Sequence, residues 1–213
     1  MTLEQTPVRP EAIAEALRES VLSQVDPPGS SITEAAVALR YGTSRPTARL
    51  AIDRLVADGL LRREAHHSAF VPELSAGDIL DLFDNRAIVE SAAMARLAVD
   101  GTIPAAALAA HRALLDSDEF ARHDIAFHRA LVAGQPSPRL TRMHELLMGE
   151  IELCIGQVQA AHLLSTAEVA EQHQAILDAV TAGDAEAAAR LSRQHILGAR
   201  DRLIALIDRT HNG

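Results

Sequence analysis

Residues 41–61 read YGTSRPTARLAIDRLVADGLL, and this stretch predicts a turn followed by one helix. Gly42 permits a tight reversal, Ser44 can cap the helix, and Pro46 suits its first turn. After that turn, apolar residues recur at three- and four-residue spacing, which is typical of one buried helix face. This face consists of Ala48, Ala51, Ile52, Leu55 and Val56.

Polar residues stand at the start of the same helix, where Arg45, Thr47 and Arg49 follow the cap at Ser44. The start of a helix is the part that a helix-turn-helix protein inserts into the major groove of DNA. An ordinary amphipathic surface helix with solvated arginines fits this stretch equally well. The choice between the two interpretations therefore depends on the rest of the chain.

The charge of the chain is unevenly distributed. The 213 residues have a net charge of −9, which argues against a protein that coats nucleic acid indiscriminately. Within residues 40–63, however, six arginines oppose only Asp53 and Asp58, which gives this short window a charge of +4. A local basic patch in an acidic protein can direct one face toward phosphates.

The composition also limits the compartment and the fold class. Cys154 is the single cysteine, so an internal disulfide is excluded and a reducing compartment is favoured. We see no N-terminal signal pattern and no apolar run of about eighteen residues, so we expect a cytoplasmic protein without a membrane partner. The apolar fraction is largely alanine and aromatic residues make up only 2%, a composition that predicts mostly helix.

The segments around the opening stretch complete a small domain over residues 1–73. Residues 9–25 have apolar positions at helical spacing and end at the sequence DPPG. A second helix, which Thr33 can cap, is predicted from Ile32, Ala36, Val37 and Leu39. Residues 60–63 and 69–71 read as two short strands around a polar turn. Three helices followed by a β-hairpin make a winged helix-turn-helix.

The sequence from residue 29 to residue 71 resembles the DNA-binding domain of the GntR superfamily of bacterial transcription regulators. The shared features are the PPG at 27–29, the pair Thr33-Glu34, the SR-x-x-x-R pattern at 44–49, the DGLL at 58–61 and the AFV at 69–71. The family usually has Thr-Pro at 46–47, where this chain has Pro-Thr, and Glu at the position of Leu50. It usually has Arg and Gly at the wing tip, where His66, His67 and Ser68 stand.

Residues 74–213 predict an all-helical second domain. Helical patterns cover residues 78–99, 105–115, 118–132, 140–159, 166–181 and 184–207. The first of these patterns counts Ile88 among its apolar positions. Helices with connections this short form a bundle. The predicted fold class is therefore mainly α: an N-terminal winged helix-turn-helix followed by an all-α bundle of six or seven helices.

One carboxylate and three imidazoles in this bundle form a candidate metal site. Asp124 and His128 are four residues apart, so they project from one helix face. His173 and His195 lie among apolar residues on the last two helices. Such a set suits zinc, nickel or manganese, and bundle cores are a known place for it. A lone histidine on an apolar helix face is nevertheless more often a packed core or rim residue.

The bundle resembles the FCD effector-binding domain of the FadR-type GntR regulators. Metal-binding members of that group carry D-x-x-x-H followed by two single histidines, and Asp124, His128, His173 and His195 match in order, spacing and context. Arg86 and Glu90, as R-x-x-x-E in the first bundle helix, match as well. So does the SPRL turn at 137–140. The resemblance implies a divalent metal, for which zinc is the first expectation and nickel or manganese the next.

The resemblance also implies a small carboxylate effector at the open side of the metal. Arg86 is the natural second anchor, because a guanidinium matches a carboxylate in bidentate fashion. Arg142 and Ser137 are further candidates for the effector site. The alternative for Arg86 is a structural ion pair with Glu90 or with another helix. The remaining bundle histidines match no pattern and are expected to be surface or packing residues: His111, His123, His144, His162 and His211.

These features predict a metabolite-responsive transcription regulator, most often a repressor in this family. A homodimer would place two recognition helices on palindromic double-stranded operator DNA. Its DNA contacts would come from the helix start and the wing: Ser44, Arg45, Thr47, Arg49, His66 and His67. One alternative is a metal-dependent hydrolase or isomerase. The sequence shows no general base or nucleophile motif for such an enzyme, and an enzyme would leave the winged helix unexplained. The other is a regulator whose four side chains bind the effector without metal.

Overall fold

The computed structural model describes residues 9–116, 120–160 and 165–211. The chain divides into two compact units, Met1–Glu73 and Leu74–Gly213. The first unit contains three short helices and a small sheet, and the second contains only helices in its described part. The predicted fold class, a winged helix-turn-helix followed by an all-α bundle, is confirmed.

The first unit has the element order of a winged helix. Its helices and strands are α1 Pro10–Leu22, β1 Ser31–Ile32, α2 Glu34–Arg40, α3 Arg45–Ala57, β2 Arg62–Arg63 and β3 Ala69–Phe70. The strands form an antiparallel sheet in the order β1-β3-β2, in which Ser31 and Arg62 both pair with Phe70. The loop between β2 and β3 is the wing.

Capping side chains fix where α2 and α3 begin. Thr33 accepts a hydrogen bond from the Ala36 amide at 3.1 Å, and Ser44 accepts one from the Thr47 amide at 3.2 Å. Each bond satisfies an amide that the first helical turn would otherwise leave unpaired. The predicted inner face of α3 is confirmed, since four of its five residues are buried: Ala48, Ala51, Ile52 and Leu55.

Of the residues that predicted the second helix, one lies before the helix and another lies in it but is exposed. Ile32 lies in β1, where it is paired with Ala69, because the Thr33 cap starts the helix only after it. Leu39 is 86% exposed, since the seven-residue α2 buries only Val37 and Ala38. The strand β1 was not predicted, because a two-residue strand is too short to show an alternating pattern in the sequence.

The second unit is a bundle of long helices joined by short connections. Its described helices are α4 Ala76–Asp100, α5 Ala105–Asp116, α6 Phe120–Ala133, α7 Pro138–Ala160, α8 Thr166–Thr181 and α9 Ala185–His211. Each corresponds to a predicted helix, and α8 has the predicted bounds. The predicted start of α6 at residue 118 and the predicted role of His162 lie outside the described residues.

Two groups of buried apolar side chains form the bundle core. One includes Phe83 and Met148, and the other includes Phe127 and Leu131. Ile88 was predicted on the inner face but is 62% exposed, because it lies on the outer side of a helical turn whose inner side carries the buried Ala87. No single described helix is long and apolar enough to span a membrane; α4 and α5 reach that criterion only together, with a bend of 116° between them.

Candidate metal centre and DNA-contacting face

Asp124, His128, His173 and His195 converge inside the bundle. The first two lie on α6, and the others lie on α8 and α9. One ligand atom from each residue lies within 4.8 Å of the others, and no member of the set is more than 6% exposed. The sequence therefore selected four residues that the structure brings together. The described part of the chain contains a three-imidazole, one-carboxylate cluster.

The distances in this cluster suit a single metal ion. His128 Nε2 and His195 Nε2 are 3.1 Å apart, and His173 Nε2 lies 3.3 Å from Asp124 Oδ1. His128 Nε2 and the same Asp124 oxygen are separated by 3.8 Å. Ligands about 2.0–2.1 Å from a tetrahedral zinc ion are roughly 3.3 Å from one another. The side chains would need only small movements to coordinate such an ion.

The outer nitrogens of two imidazoles are bound by acceptors from other helices. His128 Nδ1 donates to Glu90 Oε2 at 2.6 Å, and His195 Nδ1 donates to Gln172 Oε1 at 2.8 Å. Gln172 Nε2 in turn donates to Glu168 at 3.4 Å, which agrees with an amide oxygen facing His195. Both Nδ1 atoms therefore hold the proton of a neutral ring, and both Nε2 lone pairs face inward.

The protonation states of the cluster also suit a metal. Burial lowers the pKa of His195 well below its ordinary value, and repulsion from His173 and His128 lowers it further. Burial likewise lowers the pKa of His128, although Glu90 opposes this effect. Burial alone would raise the pKa of Asp124, but the nearby imidazoles, His173 first among them, outweigh burial and lower this pKa. Neutral imidazoles and an ionised carboxylate are the forms that bind metal ions.

His173 is the most enclosed member of the cluster. Its ring is fully buried and stacks on Phe127, with centroids 3.9 Å apart and planes 15° apart. Neither of its ring nitrogens makes a hydrogen bond with a described residue, although Nε2 lies 3.3 Å from Asp124 Oδ1. A buried polar atom without a partner costs about 1–3 kcal/mol. A ligand for Nε2 would remove part of that cost, so the residues present fit a bound metal.

Glu90 connects the cluster to two further buried side chains. Its Oε1 accepts from Arg86 Nε at 2.7 Å and from His144 Nε2 at 2.9 Å, while Oε2 holds His128. Burial would raise the pKa of Glu90, but Arg86 and His128 outweigh it and keep this pKa well below its ordinary value. The ion pair between Arg86 and Glu90, which is the alternative role for Arg86, is therefore present. Arg86 Nη2 remains buried without a hydrogen-bond partner in the described structure.

Sequence reasoning missed the part that His144 plays. This histidine is 1% exposed and lies on α7, where it contacts a carboxylate of α4. No local pattern separates it from the other unmatched histidines. Its position four residues before the buried Met148 indicates an inner face, and that is the only signal that the sequence offers.

The other two predicted effector residues lie outside this network. Arg142 is exposed and stands two positions before buried His144, so it lies on the opposite side of α7. Ser137 is half-buried, and its hydroxyl accepts from the Leu140 amide at 3.4 Å at the start of α7. Effector contacts of Arg142 and Ser137 stay predictions.

An open cavity adjoins the cluster on the side of α8 and α9. Its volume is about 310 Å³, and His195 and Gln172 form part of its wall. The other lining residues are Glu171, Ala175, Leu191 and Gln194. The cavity therefore brings solvent to the outer edge of one proposed ligand.

The predicted DNA-contacting residues of α3 lie on its outer face. Arg45 and Arg49 are exposed, and the Arg49 side chain is only loosely paired, at 3.7 Å from Glu34 and 3.8 Å from Asp53. The hydroxyl groups of Ser44 and Thr47 form a hydrogen bond of 2.8 Å at the start of the helix. This face has two guanidinium groups with room to turn toward a ligand.

Both wing-tip histidines are exposed. His66 has a φ of +65°, in the left-handed region where glycine is most comfortable, so a Gly at this position would be unstrained. His67 Nδ1 bonds to the Ala65 carbonyl at 3.0 Å and closes the tip. The wing is thus a tight turn that presents imidazoles where the resemblance leads one to expect Arg and Gly.

The winged helix and the enclosed cluster define a two-domain DNA-binding regulator. The family model of the FCD domain matches residues 81–198, and that of bacterial regulatory proteins of the gntR family matches residues 10–71. The chain belongs to the GntR family of bacterial regulatory proteins and carries an FCD domain, consistent with the FadR-type subfamily.

Two relatives of the chain are transcriptional repressors by name. The chain is 28% identical over 198 residues to a probable D-xylose utilization operon transcriptional repressor of Paenarthrobacter nicotinovorans, covering 86% of this chain and 85% of that protein. It is 30% identical over 174 residues to the HTH-type transcriptional repressor GlaR of Escherichia coli (strain K12), covering 74% and 79%. The protein is therefore a transcription regulator, and the hydrolase or isomerase alternative is set aside.

A solved structure shares the architecture. The crystal structure of a putative transcriptional regulator GntR from Rhodococcus sp. RHA1 superimposes with a TM-score of 0.73 at 26% identity, covering 92% of this chain and 97% of that one. The order of a winged helix and a helical bundle is thus common to both proteins.

Proposed function

We propose that this regulator binds operator DNA through α3 and the wing, and binds a divalent metal and a small carboxylate effector in the bundle. One observation carries the metal part of the proposal. His128 Nε2 and His195 Nε2 face each other at 3.1 Å, and each ring holds its proton on the opposite nitrogen. Two lone pairs this close repel unless a cation lies between them.

Zinc is the metal that we propose first, with nickel and manganese next. Three imidazoles and one carboxylate suit a borderline ion, and a site of this kind retains room for ligand oxygens. When bound, the ion would supply a Lewis-acidic centre for the carboxylate of the effector. Asp124, His128, His173 and His195 would hold it, and Glu90 and Gln172 would orient two of the imidazoles.

Arg86 is the second anchor that we propose for the effector. Its Nε is committed to Glu90, but its Nη2 is buried without a hydrogen-bond partner in the described structure. A buried guanidinium nitrogen without a partner is costly and favours an incoming acceptor. The carboxylate of an organic acid offers such an acceptor. The same argument supports the smaller proposal without metal, in which the four side chains bind the effector directly.

The DNA part of the proposal rests on the outer face of α3. Arg45 and Arg49 would supply phosphate or base contacts, with Ser44 and Thr47 beside them and the two wing histidines on the neighbouring backbone or groove. A homodimer would place two such faces on a palindromic operator, about one helical turn apart. A protein that acts on bacterial operators would work in the cytoplasm.

Metal analysis tests the first part. We expect chelator-free protein to contain about one divalent ion per chain, because four ligands converge on one point. His128→Ala should lose that ion, whereas His123→Ala should retain it, since His123 is a half-buried histidine of the same helix that does not belong to the four-residue cluster. If wild-type protein contains no stoichiometric metal, the metal site is refuted and only direct binding of the effector by the four side chains remains. A thermal-shift screen of organic acids, with and without metal, would then identify effectors by mass action.

DNA binding tests the second part. Wild-type protein should enrich a defined site from a randomised double-stranded pool, and Arg49→Ala should weaken binding to that site roughly 5- to 150-fold for each half-site contacted. Arg139→Ala is the matched control, because Arg139 is an exposed arginine of the bundle. Equal binding by the wild type and Arg49→Ala at physiological salt would remove α3 from the DNA interface.

A further inference from the structure

Leu50 is an exposed apolar residue within the arginine-bearing face of α3. Its side chain is 60% exposed in the second turn of the helix. Arg45, Pro46 and Arg49 are exposed on the same face, while the opposite face packs into the core. The proposed DNA-contacting face therefore has a bulky apolar group beside two cations.

The charge around Leu50 favours DNA over an apolar protein partner. Two acidic side chains lie near Arg49 Nε: Glu34 at 3.7 Å and Asp53 at 3.8 Å, and Arg63 Nη1 also binds Asp53 at 2.5 Å. Arg45, Arg49 and Arg63 outnumber these two carboxylates, so the potential at this part of the helix is positive. A positive surface with one apolar group complements a groove with phosphate edges and an apolar base group.

The major groove offers one such apolar group, the C5-methyl of thymine. Leucine has no hydrogen-bond donor or acceptor, so it cannot read the polar edge of any base. We propose that Leu50 is a specificity-determining residue that packs against a thymine methyl group in the operator. This inference rests on the proposed DNA-binding function and adds one base preference to it.

The expected size of the effect follows from the burial of one methyl-sized group. Such burial is worth about fourfold in affinity per contact. A dimer on a palindromic site makes the contact twice, so losing both would weaken binding roughly 16-fold if the two contacts are independent.

Selection from a randomised double-stranded DNA pool tests the inference. The full-length wild type, Leu50→Ala and Leu39→Ala are compared. Leu39 is the matched control, because it is an exposed leucine of α2 at 86% exposure. We expect the wild type and Leu39→Ala to select a thymine that Leu50→Ala no longer prefers, while the other positions of the site are retained. An unchanged thymine preference in Leu50→Ala would overturn the proposal.

Base substitution then tests the methyl group itself. Each thymine of the selected site is replaced in turn by deoxyuridine, which removes only the methyl. At one position per half-site, wild-type affinity should fall about fourfold and Leu50→Ala affinity should not change. Equal losses in both proteins at every thymine would refute the contact. A wild type that enriches no sequence would instead refute the DNA-binding proposal, and the base preference with it.

Discussion

Replacing Glu90 by glutamine changes a buried carboxylate that joins the proposed metal-binding cluster to Arg86 and His144. Glu90 is 1% exposed and accepts from Arg86, His128 and His144 at 2.7, 2.6 and 2.9 Å. Glutamine retains the shape and one acceptor oxygen but removes the charge. It also brings a donor group toward side chains that already donate.

Two separate losses follow from this substitution. Arg86 would keep its charge in the core without a counter-ion, and breaking a buried ion pair in this way costs about 3–5 kcal/mol. His128 would lose the acceptor that fixes its tautomer, and removing such an outer partner costs about 10- to 100-fold in metal affinity. At saturating metal the second loss adds about 1.4–2.8 kcal/mol. We therefore expect Glu90→Gln to lower stability more with zinc than with chelator.

Urea unfolding followed by circular dichroism measures both losses, once with a chelator and once with saturating zinc. Glu145→Gln is the matched control, because Glu145 is 46% exposed on its side chain and pairs with Arg129 at 3.1 Å on the surface. A surface pair of this kind contributes about 0–1 kcal/mol. If Glu90→Gln unfolds with the wild-type midpoint and holds zinc equally tightly, the orienting role of Glu90 is refuted. Equal destabilisation under both conditions would limit Glu90 to a structural role with Arg86 and His144.

Three further substitutions test interactions within the units, one in the first unit and two in the second. Asp26→Asn should lower stability near neutral pH by about 1–3 kcal/mol, because Arg40 bonds this carboxylate through both terminal nitrogens. Arg40 also lowers the pKa of Asp26 below its ordinary 3.8, so this stabilisation is complete above that value and is lost as the pH falls through the lowered pKa. The stabilities of wild type and variant, measured as the pH is lowered, should therefore converge. Parallel stability curves would contradict the role of the Asp26 charge. Gly134→Ala should lower the free energy of unfolding by about 1–3 kcal/mol, since its new methyl would overlap the ring of Pro104. Gly77→Ala is the control: its methyl would make an ordinary contact at 3.7 Å, so it should raise the free energy of unfolding by about 0.4–1 kcal/mol. Thermal unfolding checks this pair, and equal shifts would contradict the clash.

The sequence alone determined the features that depend on neighbours a few residues away. The start of α3 follows from the Ser44 cap and its buried face from the apolar spacing, because both act within one or two helical turns. Asp124 and His128 share a face for the same reason, as their four-residue separation is one helical turn. The other two proposed ligands, His173 and His195, were selected by chemistry and by family resemblance together.

The tertiary structure decided which distant residues meet. Glu90 contacts His128 and His144 across 38 and 54 residues, and no local pattern encodes those pairings. Ile32 lies in a strand because β3 supplies its partner. Leu39 and Ile88 face outward because no element in the described part of the chain covers their side of the helix. Helix periodicity fixes only which residues share a face. The packing of helices against one another determines which face is buried and which partner each buried polar group finds.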